Sequence, residues 1–352
     1  MSTAAVPASM KITKRPWSHR GHADHDWLYT YHTFSFASYY DPRHESFGPL
    51  RVINEDRVKA GTGFGTHSHA EFLIFSYIVN GTLEHKDSMG NLENLKRGEV
   101  QFTSAGTGIR HSEYNRNKDD EVHFLQIWAK PNKRGLKPHY ETKKFTDEQK
   151  TDKLCRIMES TDRLGDEKHA IGLQADLSMD ASILSPGKKV THEVVAEGPR
   201  KLFAQVIMGK RAQPKTGGAQ IKIGETLLGE GDGAYIDNVK GPASIEIESV
   251  GDKSAEFLLF DMGPEEQLMP PLPPIVVRGG FEDAYNTIKN PNISAGHNAT
   301  HPGGEITRDY DTVAYKMYIA SMIFGCVAAT LILPVTFSPK ALTWWRQKKH
   351  QK

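Results

Sequence analysis

Short apolar segments separated by glycine turns occupy most of the chain and constrain its fold more than any other feature. Between residues 28 and 262 these segments alternate with turn signals such as Asn80-Gly81 and Arg97-Gly98. The same succession of strand, glycine turn and strand returns in the second half, for example over residues 219–239. Regularly repeated short strands are typical of a duplicated β-barrel. We therefore predict an all-β fold with two tandem barrels.

An uncharged stretch near the C-terminus predicts a different kind of element. Residues 317–337 carry no charge, and a helix of that length crosses a hydrocarbon core of ~30 Å. Trp344 and Trp345 follow at the level of an aromatic belt. A buried helix of a soluble domain is the alternative. We predict a transmembrane helix over 317–337, between a Pro/Gly/Asn-rich linker (264–316) and a basic tail (338–352).

The predicted anchor leaves two topologies open. A tail-anchored protein would present its barrels to the cytosol, as at a mitochondrial outer membrane. An inner-membrane protein would place its basic tail in the matrix. In both topologies the chain crosses the membrane once, near its C-terminus. We expect this to be a mitochondrial membrane. The 44 basic and 43 acidic residues nearly cancel, so no direct binding to nucleic acid is expected.

Two pairs of polar residues are spaced for a shared site. His67 and His69 are two residues apart, so on a strand both side chains point to one face. His111 and Glu113 repeat this spacing further along the chain. If two strands of one barrel each project such a pair inward, three imidazoles and one carboxylate lie around one point. We therefore predict that these four residues bind a metal.

The chemistry of the donors narrows the choice of metal. Imidazole and carboxylate ligands without thiolate suit a metal that accepts five or six ligands, so Fe is favoured, with Mn, Ni, Cu and Zn as alternatives. A structural zinc site would more often be tetrahedral and contain cysteine. His85 and His123 also lie in strand-like stretches, and we expect local hydrogen bonds to satisfy them.

The sequence around the two pairs resembles the pirin family of bicupins, which includes bacterial members with quercetin 2,3-dioxygenase activity. The resemblance runs from about Thr13 to Met262. The matching stretches are residues 32–72, 81–91, 98–115 and 126–145. The family's metal ligands fall on His67, His69, His111 and Glu113.

The resemblance implies two stacked cupin barrels (double-stranded β-helix or jelly-roll folds). After an N-terminal tail (1–12), residues 13–145 would form the metal-binding cupin domain and 146–263 a cupin domain without a metal. The second half contains His169 and His192 but no paired-ligand motif.

One position departs from the family pattern. Leu73 stands where the family usually has a glutamate, four residues after the second histidine. We expect metal binding to survive, but we expect the loss of this carboxylate to alter the pocket beside the metal. Phe36, Phe47 and Phe102 are predicted to line that pocket.

The resemblance leaves several functions open. The first is a dioxygenase that takes a flavonol-like small molecule and O₂, with Glu113 either remaining a ligand or accepting the proton of a substrate hydroxyl. The second is a non-catalytic, pirin-like interaction protein. The third is an anchored accessory subunit of a membrane-protein complex, such as a mitochondrial one.

Overall fold

Strands dominate the part of the chain that the computed structural model describes, namely residues 10–165, 169–195, 198–214 and 217–263. The predicted linker, membrane helix and basic tail lie outside these residues. Within the described ranges, no helix is long and apolar enough to cross a membrane.

The first half of the chain forms one barrel. After β1 (Lys11–Arg15) its strands are β2 (Gly21–Asp24), β3 (Leu28–His32), β4 (Leu50–Val58), β5 (Gly63–His69), β6 (Leu73–Asn80), β7 (Thr82–Asp87), β8 (Leu92–Lys96), β9 (Glu99–Ser104), β10 (Ile109–Tyr114), β11 (Val122–Ala129) and β12 (His139–Lys144). The larger sheet has the order β12-β9-β6-β11-β4-β3-β2, and the smaller sheet has the order β5-β10-β7-β8.

A single helical turn, α1 (Asp147–Lys150), leads to the second barrel. Its strands are β13 (Cys155–Ser160), β14 (Ile171–Leu173), β15 (Leu177–Leu184), β16 (Lys189–Val194), β17 (Pro199–Val206), β18 (Gln220–Ile223), β19 (Thr226–Gly229), β20 (Gly233–Lys240), β21 (Ala243–Ser249) and β22 (Ala255–Met262). The sheet orders are β1-β20-β17-β22-β15-β13-β14 and β16-β21-β18-β19. Apart from the edge strands β1 and β14 of the larger sheet, this arrangement matches the first barrel, so the prediction of a duplicated all-β fold is confirmed.

The first strand does not belong to the first barrel. β1 pairs antiparallel with β20, from Lys11 opposite Asp237 to Arg15 opposite Gly233. It occupies the edge of the second barrel's larger sheet, where the first barrel has β12. The sequence-based boundary between a tail (1–12) and a first domain (13–145) therefore cuts through a strand of the second barrel.

The larger sheets of the two barrels pack against each other through an apolar core. Leu73 and Phe75 of the first barrel share this core with Phe203 and Phe260 of the second. Each strand of these sheets buries alternate side chains on opposite faces, one between the barrels and one inside its own barrel. Separate apolar clusters fill the barrel interiors.

A buried lysine adds polar contacts at this junction. Lys150 is fully buried, and its Nζ donates to the Tyr77 hydroxyl at 2.9 Å and lies 3.2 Å from Asp147 Oδ1. Tyr77 in turn donates to Glu256 Oε1 of the second barrel at 2.6 Å. Burial and the neighbouring Glu256 raise the pKa of Tyr77 well above its usual value, so it stays a neutral donor.

Candidate metal centre

Three of the four predicted ligands converge inside the first barrel. β5 and β10 are neighbours in the smaller sheet, and His67 lies opposite His111. The ligand atoms of His67, His69 and His111 lie within 4.8 Å of one another, and the Nε2 atoms of His67 and His111 are 3.0 Å apart. The structure therefore brings these three residues together, whereas their binding of a metal stays a prediction. We call them the histidine triad.

Glycine allows the two ligand strands to approach closely. A Cβ atom at Gly63 would lie 2.3 Å from the carbonyl oxygen of Glu113, so no larger residue fits there without backbone movement. The pairing of β5 with β10 shifts by one residue between Gly63 and the triad. The cause is an extra residue of β5 between Phe64 and His67. Such bulges commonly re-aim side chains at functional sites.

The backbone fixes the tautomer of one triad member. His67 Nδ1 lies 2.7 Å from the carbonyl oxygen of Gly65, which can only accept, so the proton resides on Nδ1. Its Nε2 therefore presents a lone pair to the group. A metal-binding imidazole is usually held in this way by a partner on its other nitrogen.

The triad is neutral at physiological pH. Burial lowers the pKa of His67, and it holds the pKa values of His69 and His111 well below the ordinary value, with the neighbouring imidazoles adding to the effect. Neutral imidazole is the form that binds a metal, so no proton has to be expelled first.

Glu113 is linked to the triad through His111. The ligand atoms of His85, His111 and Glu113 form a second group within 4.8 Å, and all three residues are buried. The Glu113 carboxylate accepts from Gln126 Nε2 at 2.8 Å and from Ser76 Oγ at 3.3 Å. Burial raises the pKa of Glu113 to about 7, with the nearby Asp56 contributing.

His85 belongs to the site although the sequence assigned it only local hydrogen bonds. It lies opposite Glu113 on β7, stacks on Tyr140, and contacts Asp87 Oδ2 through Nε2 at 3.3 Å, as expected for a local bond. However, its buried Nδ1 has no hydrogen-bond partner. The spacing of His85 and Asp87 repeats that of the ligand pairs, and this signal could have identified it.

An apolar wall lies beside His69. The Trp128 ring meets the His69 ring edge-on at 4.9 Å, and Phe36 and Phe72 pack against Trp128. Phe36 therefore remains a residue of the pocket. The predictions for Phe47 and Phe102 are wrong, because both pack in the core between the barrels.

The expected effect of Leu73 on the metal pocket is also wrong. Leu73 is buried in the core between the barrels, whereas its neighbour Ile74 packs with Trp128 on the inner side. A glutamate at position 73 would thus face away from the triad. Glu71 precedes the strand at a positive φ of 59°, and its carboxylate accepts from the backbone N–H of Gly135.

The second barrel carries apolar residues at three of the four corresponding positions. His192 lies opposite Ile245 just as His67 lies opposite His111, and Val194 stands in the place of His69. Ile247 fills the interior near them. Among the described residues, both groups of three potential ligands lie in the first barrel.

His192 instead takes part in an ion-pair network. Its Nε2 lies 2.9 Å from Asp261 Oδ2, and its Nδ1 lies 3.6 Å from Asp180 Oδ2. Burial alone would lower its pKa, but the hydrogen bonds to these two carboxylates raise the pKa of His192 to about 9. It is therefore a cation at neutral pH, which makes it a poor metal ligand.

The residues of the first barrel fit a divalent metal. The His67 and His111 Nε2 atoms face each other, and the buried Nδ1 atoms of His85 and His111 have no hydrogen-bond partners. Uncharged imidazoles gathered around one point, with a carboxylate beside them, are the donor set of a metal site with open positions. The fold is that of a bicupin, and within the described residues its candidate metal centre lies in the first barrel.

Comparisons with known proteins agree with this class. The pirin family model matches residues 13–129. The quercetin 2,3-dioxygenase of Escherichia coli K12 is 38% identical over 253 residues, which cover 72% of this chain and 99% of the relative. A pirin-like protein of Caulobacter vibrioides is 33% identical over 250 residues, covering 71% of this chain and 99% of the relative.

Solved structures show the same relationship. The crystal structure of YhhW from Escherichia coli has a TM-score of 0.62 and 37% identity, covering 72% of this chain and 98% of that one. A nickel(II) complex of the same bacterial pirin also has a TM-score of 0.62, with 36% identity, covering 72% of this chain and all of that one. The chain belongs to the pirin family and is related to quercetin 2,3-dioxygenases.

Proposed function

We propose that this chain is a metal-dependent dioxygenase of the quercetin 2,3-dioxygenase type, acting on a flavonol-like molecule and O₂. The observation that carries the proposal is the neutral histidine triad beside a buried carboxyl group. The 38% identity to a quercetin 2,3-dioxygenase over nearly the whole length of that enzyme supports it. Iron is our first choice for the metal. The nickel(II) complex of a 36% identical pirin supports nickel as the alternative.

His67, His69 and His111 would hold the metal, with Glu113 completing the set. When bound, the metal supplies a Lewis-acidic centre that can bring a flavonol oxygen and O₂ together. The hydrogen bond from His67 to Gly65 keeps the His67 Nε2 lone pair directed at this point. Trp128, buried against His69, would exclude water from one side of the metal centre.

Glu113 would either remain a metal ligand or accept a proton from the substrate. Burial raises its pKa to about 7 in the metal-free chain, a value that suits a group that takes the proton from a substrate hydroxyl and later returns it. The transfer needs the carboxylate within hydrogen-bond reach of that hydroxyl. Gln126 and Ser76 stabilise the charged form by hydrogen bonding.

Oxygen uptake tests the proposal directly. The full-length protein, loaded separately with Fe(II) and Ni(II), is offered a panel of flavonols, and both O₂ consumption and loss of the flavonol absorption are followed. We expect turnover with at least one metal. Full metal occupancy without O₂ consumption would instead favour the non-catalytic interaction protein.

We also propose that residues 317–337 anchor the protein to a membrane, in mitochondria rather than elsewhere. The uncharged composition of this stretch and the basic tail behind it support the proposal. Fractionation of the full chain against a version that ends before Tyr318 tests it, and recovery of both in the soluble fraction would refute it. Stoichiometric partners in mild detergent would favour an accessory subunit of a membrane complex.

A further inference from the structure

A row of polar side chains crosses the inner face of the larger sheet in the first barrel. Register pairs connect Gln101 with Ser76, Ser76 with Gln126, Gln126 with Asn54, and Asn54 with His32. All five are buried. The row thus runs through five neighbouring strands on the wall opposite the ligand strands.

The second barrel has the same sheet order, but it lacks the part of this row that Gln101, Ser76 and Gln126 form. At the corresponding positions of β20, β17 and β22 it carries Ala234, Ala204 and Leu259, which belong to its apolar interior. Ala204 pairs with Ala234 and Leu259, just as Ser76 pairs with Gln101 and Gln126. The fold therefore closes well with apolar side chains at these positions, and the polar groups are no requirement of the barrel.

Stability does not explain the polar row either. A buried amide or hydroxyl destabilises the fold unless it is hydrogen-bonded, whereas replacing both partners with apolar groups of similar shape is close to neutral. Gln101 even leaves its Oε1 buried without a partner. A function in the first barrel is the remaining reason for the row.

The contacts of the central pair identify that function. Gln126 Nε2 donates to Glu113 Oε2 at 2.8 Å, while Gln126 Oε1 faces the Ser76 hydroxyl at 3.4 Å. The same hydroxyl lies 3.3 Å from Glu113 Oε1. Ser76 has one hydroxyl proton, and when it is donated to Glu113 each oxygen of the carboxylate has one donor from the row.

We propose that Gln126, supported by Ser76, is a positioning residue that holds the Glu113 carboxylate at the metal centre. A carboxylate without these donors would rotate among several orientations, and ordering it would weaken metal binding. Partners of this kind are usually worth a factor of about 10–100 in metal affinity. The inference rests on the metal binding of the proposed function, but not on its substrate.

Substitution by the apolar side chains of the second barrel tests the proposal. Gln126→Leu and Ser76→Ala are made in the full-length chain, with Ser182→Ala as the matched control, since Ser182 is a fully buried serine inside the second barrel. Each protein is titrated with Ni²⁺ by calorimetry. Visible absorption of the Co²⁺ forms reports the ligand geometry, and melting of the metal-free forms reports the fold.

We expect Gln126→Leu to weaken Ni²⁺ binding about 10–100-fold and to change the Co²⁺ spectrum. Ser76→Ala should show a smaller loss, and Ser182→Ala should match the wild type in both. The metal-free melting temperature of Gln126→Leu should fall, because the buried Glu113 Oε2 loses its donor, and this measurement separates the loss of stability from the loss of metal affinity. Unchanged affinity and spectrum, or lower stability with unchanged affinity, would overturn the proposal. An inactive wild type that binds Ni²⁺ would refute only the dioxygenase function.

Discussion

Leu73 and Ser76 lie on the same strand but on opposite faces of the larger sheet. Leu73 packs in the core between the barrels, and Ser76 contacts the Glu113 carboxylate inside the first barrel. The three-residue separation places them on opposite sides of the pleat. A family-typical glutamate at position 73 would thus have no access to the metal centre.

Leu73→Glu should therefore destabilise the protein without restoring anything at the metal site. The new carboxylate would be buried in an apolar core at a position that is 1% exposed. We expect a loss of roughly 3 kcal/mol or more in the free energy of unfolding. Chemical denaturation measures it, with Leu92→Glu as control because Leu92 is 60% exposed. Equal stability of the two variants, or tighter metal binding by Leu73→Glu, would contradict the assignment.

His67→Ala should abolish stoichiometric metal binding. It removes a ligand whose tautomer is already fixed by Gly65, and we expect affinity to fall on the order of 100-fold or more, since loss of an outer partner alone costs about 10–100-fold. Equilibrium dialysis followed by metal analysis measures the effect. His139→Ala is the control, because His139 is exposed on β12. Full metal occupancy in His67→Ala would show that the triad is not the metal site.

His192 should make the second barrel less stable at high pH. Its pKa rises from 6.5 unfolded to about 9 folded, so its stabilisation is complete below pH 6.5 and is lost as pH rises through about 9. The shift corresponds to roughly 3 kcal/mol. Denaturation of wild type and His192→Gln between pH 6 and 10 tests this. If the free energy of unfolding changed with pH in the same way for both proteins, His192 would contribute nothing to this pH dependence.

Lys150→Met should weaken the junction between the barrels. The substitution keeps the length of the side chain but removes the donor to the Tyr77 hydroxyl and the charge beside Asp147. We expect about 1–3 kcal/mol of destabilisation. Thermal melting measures it, with the exposed Lys118→Met as control. Identical melting temperatures for both variants would mean that the apolar core alone joins the barrels.

The fold class and the triad could be predicted because their signals are local. Glycine turns mark the strand ends, and the spacing of two within His67 and His69 needs only a strand to bring both side chains to one face. The partners of Glu113 have no such signal. Ser76 and Gln126 come from two other strands, and their meeting depends on the register of the sheet.

The errors over Phe102 and Leu73 share one physical cause. A strand between a core and solvent alternates apolar and polar residues, which shows which face is inward. Strands of the larger sheets are covered on both faces, and β11 is buried along its whole length. Their sequences therefore show that a residue is buried without showing in which of the two interiors it lies.

The early position of β1 in the chain has a consequence for biosynthesis. β1, which completes the edge of the second barrel, is synthesised before the other described strands, and its partner β20 follows more than two hundred residues later. The first barrel can close as soon as β12 is made, whereas β1 must remain unpaired until β20 has been synthesised. An N-terminal fusion should therefore disturb the barrel that is distant in sequence and leave the metal-binding one intact.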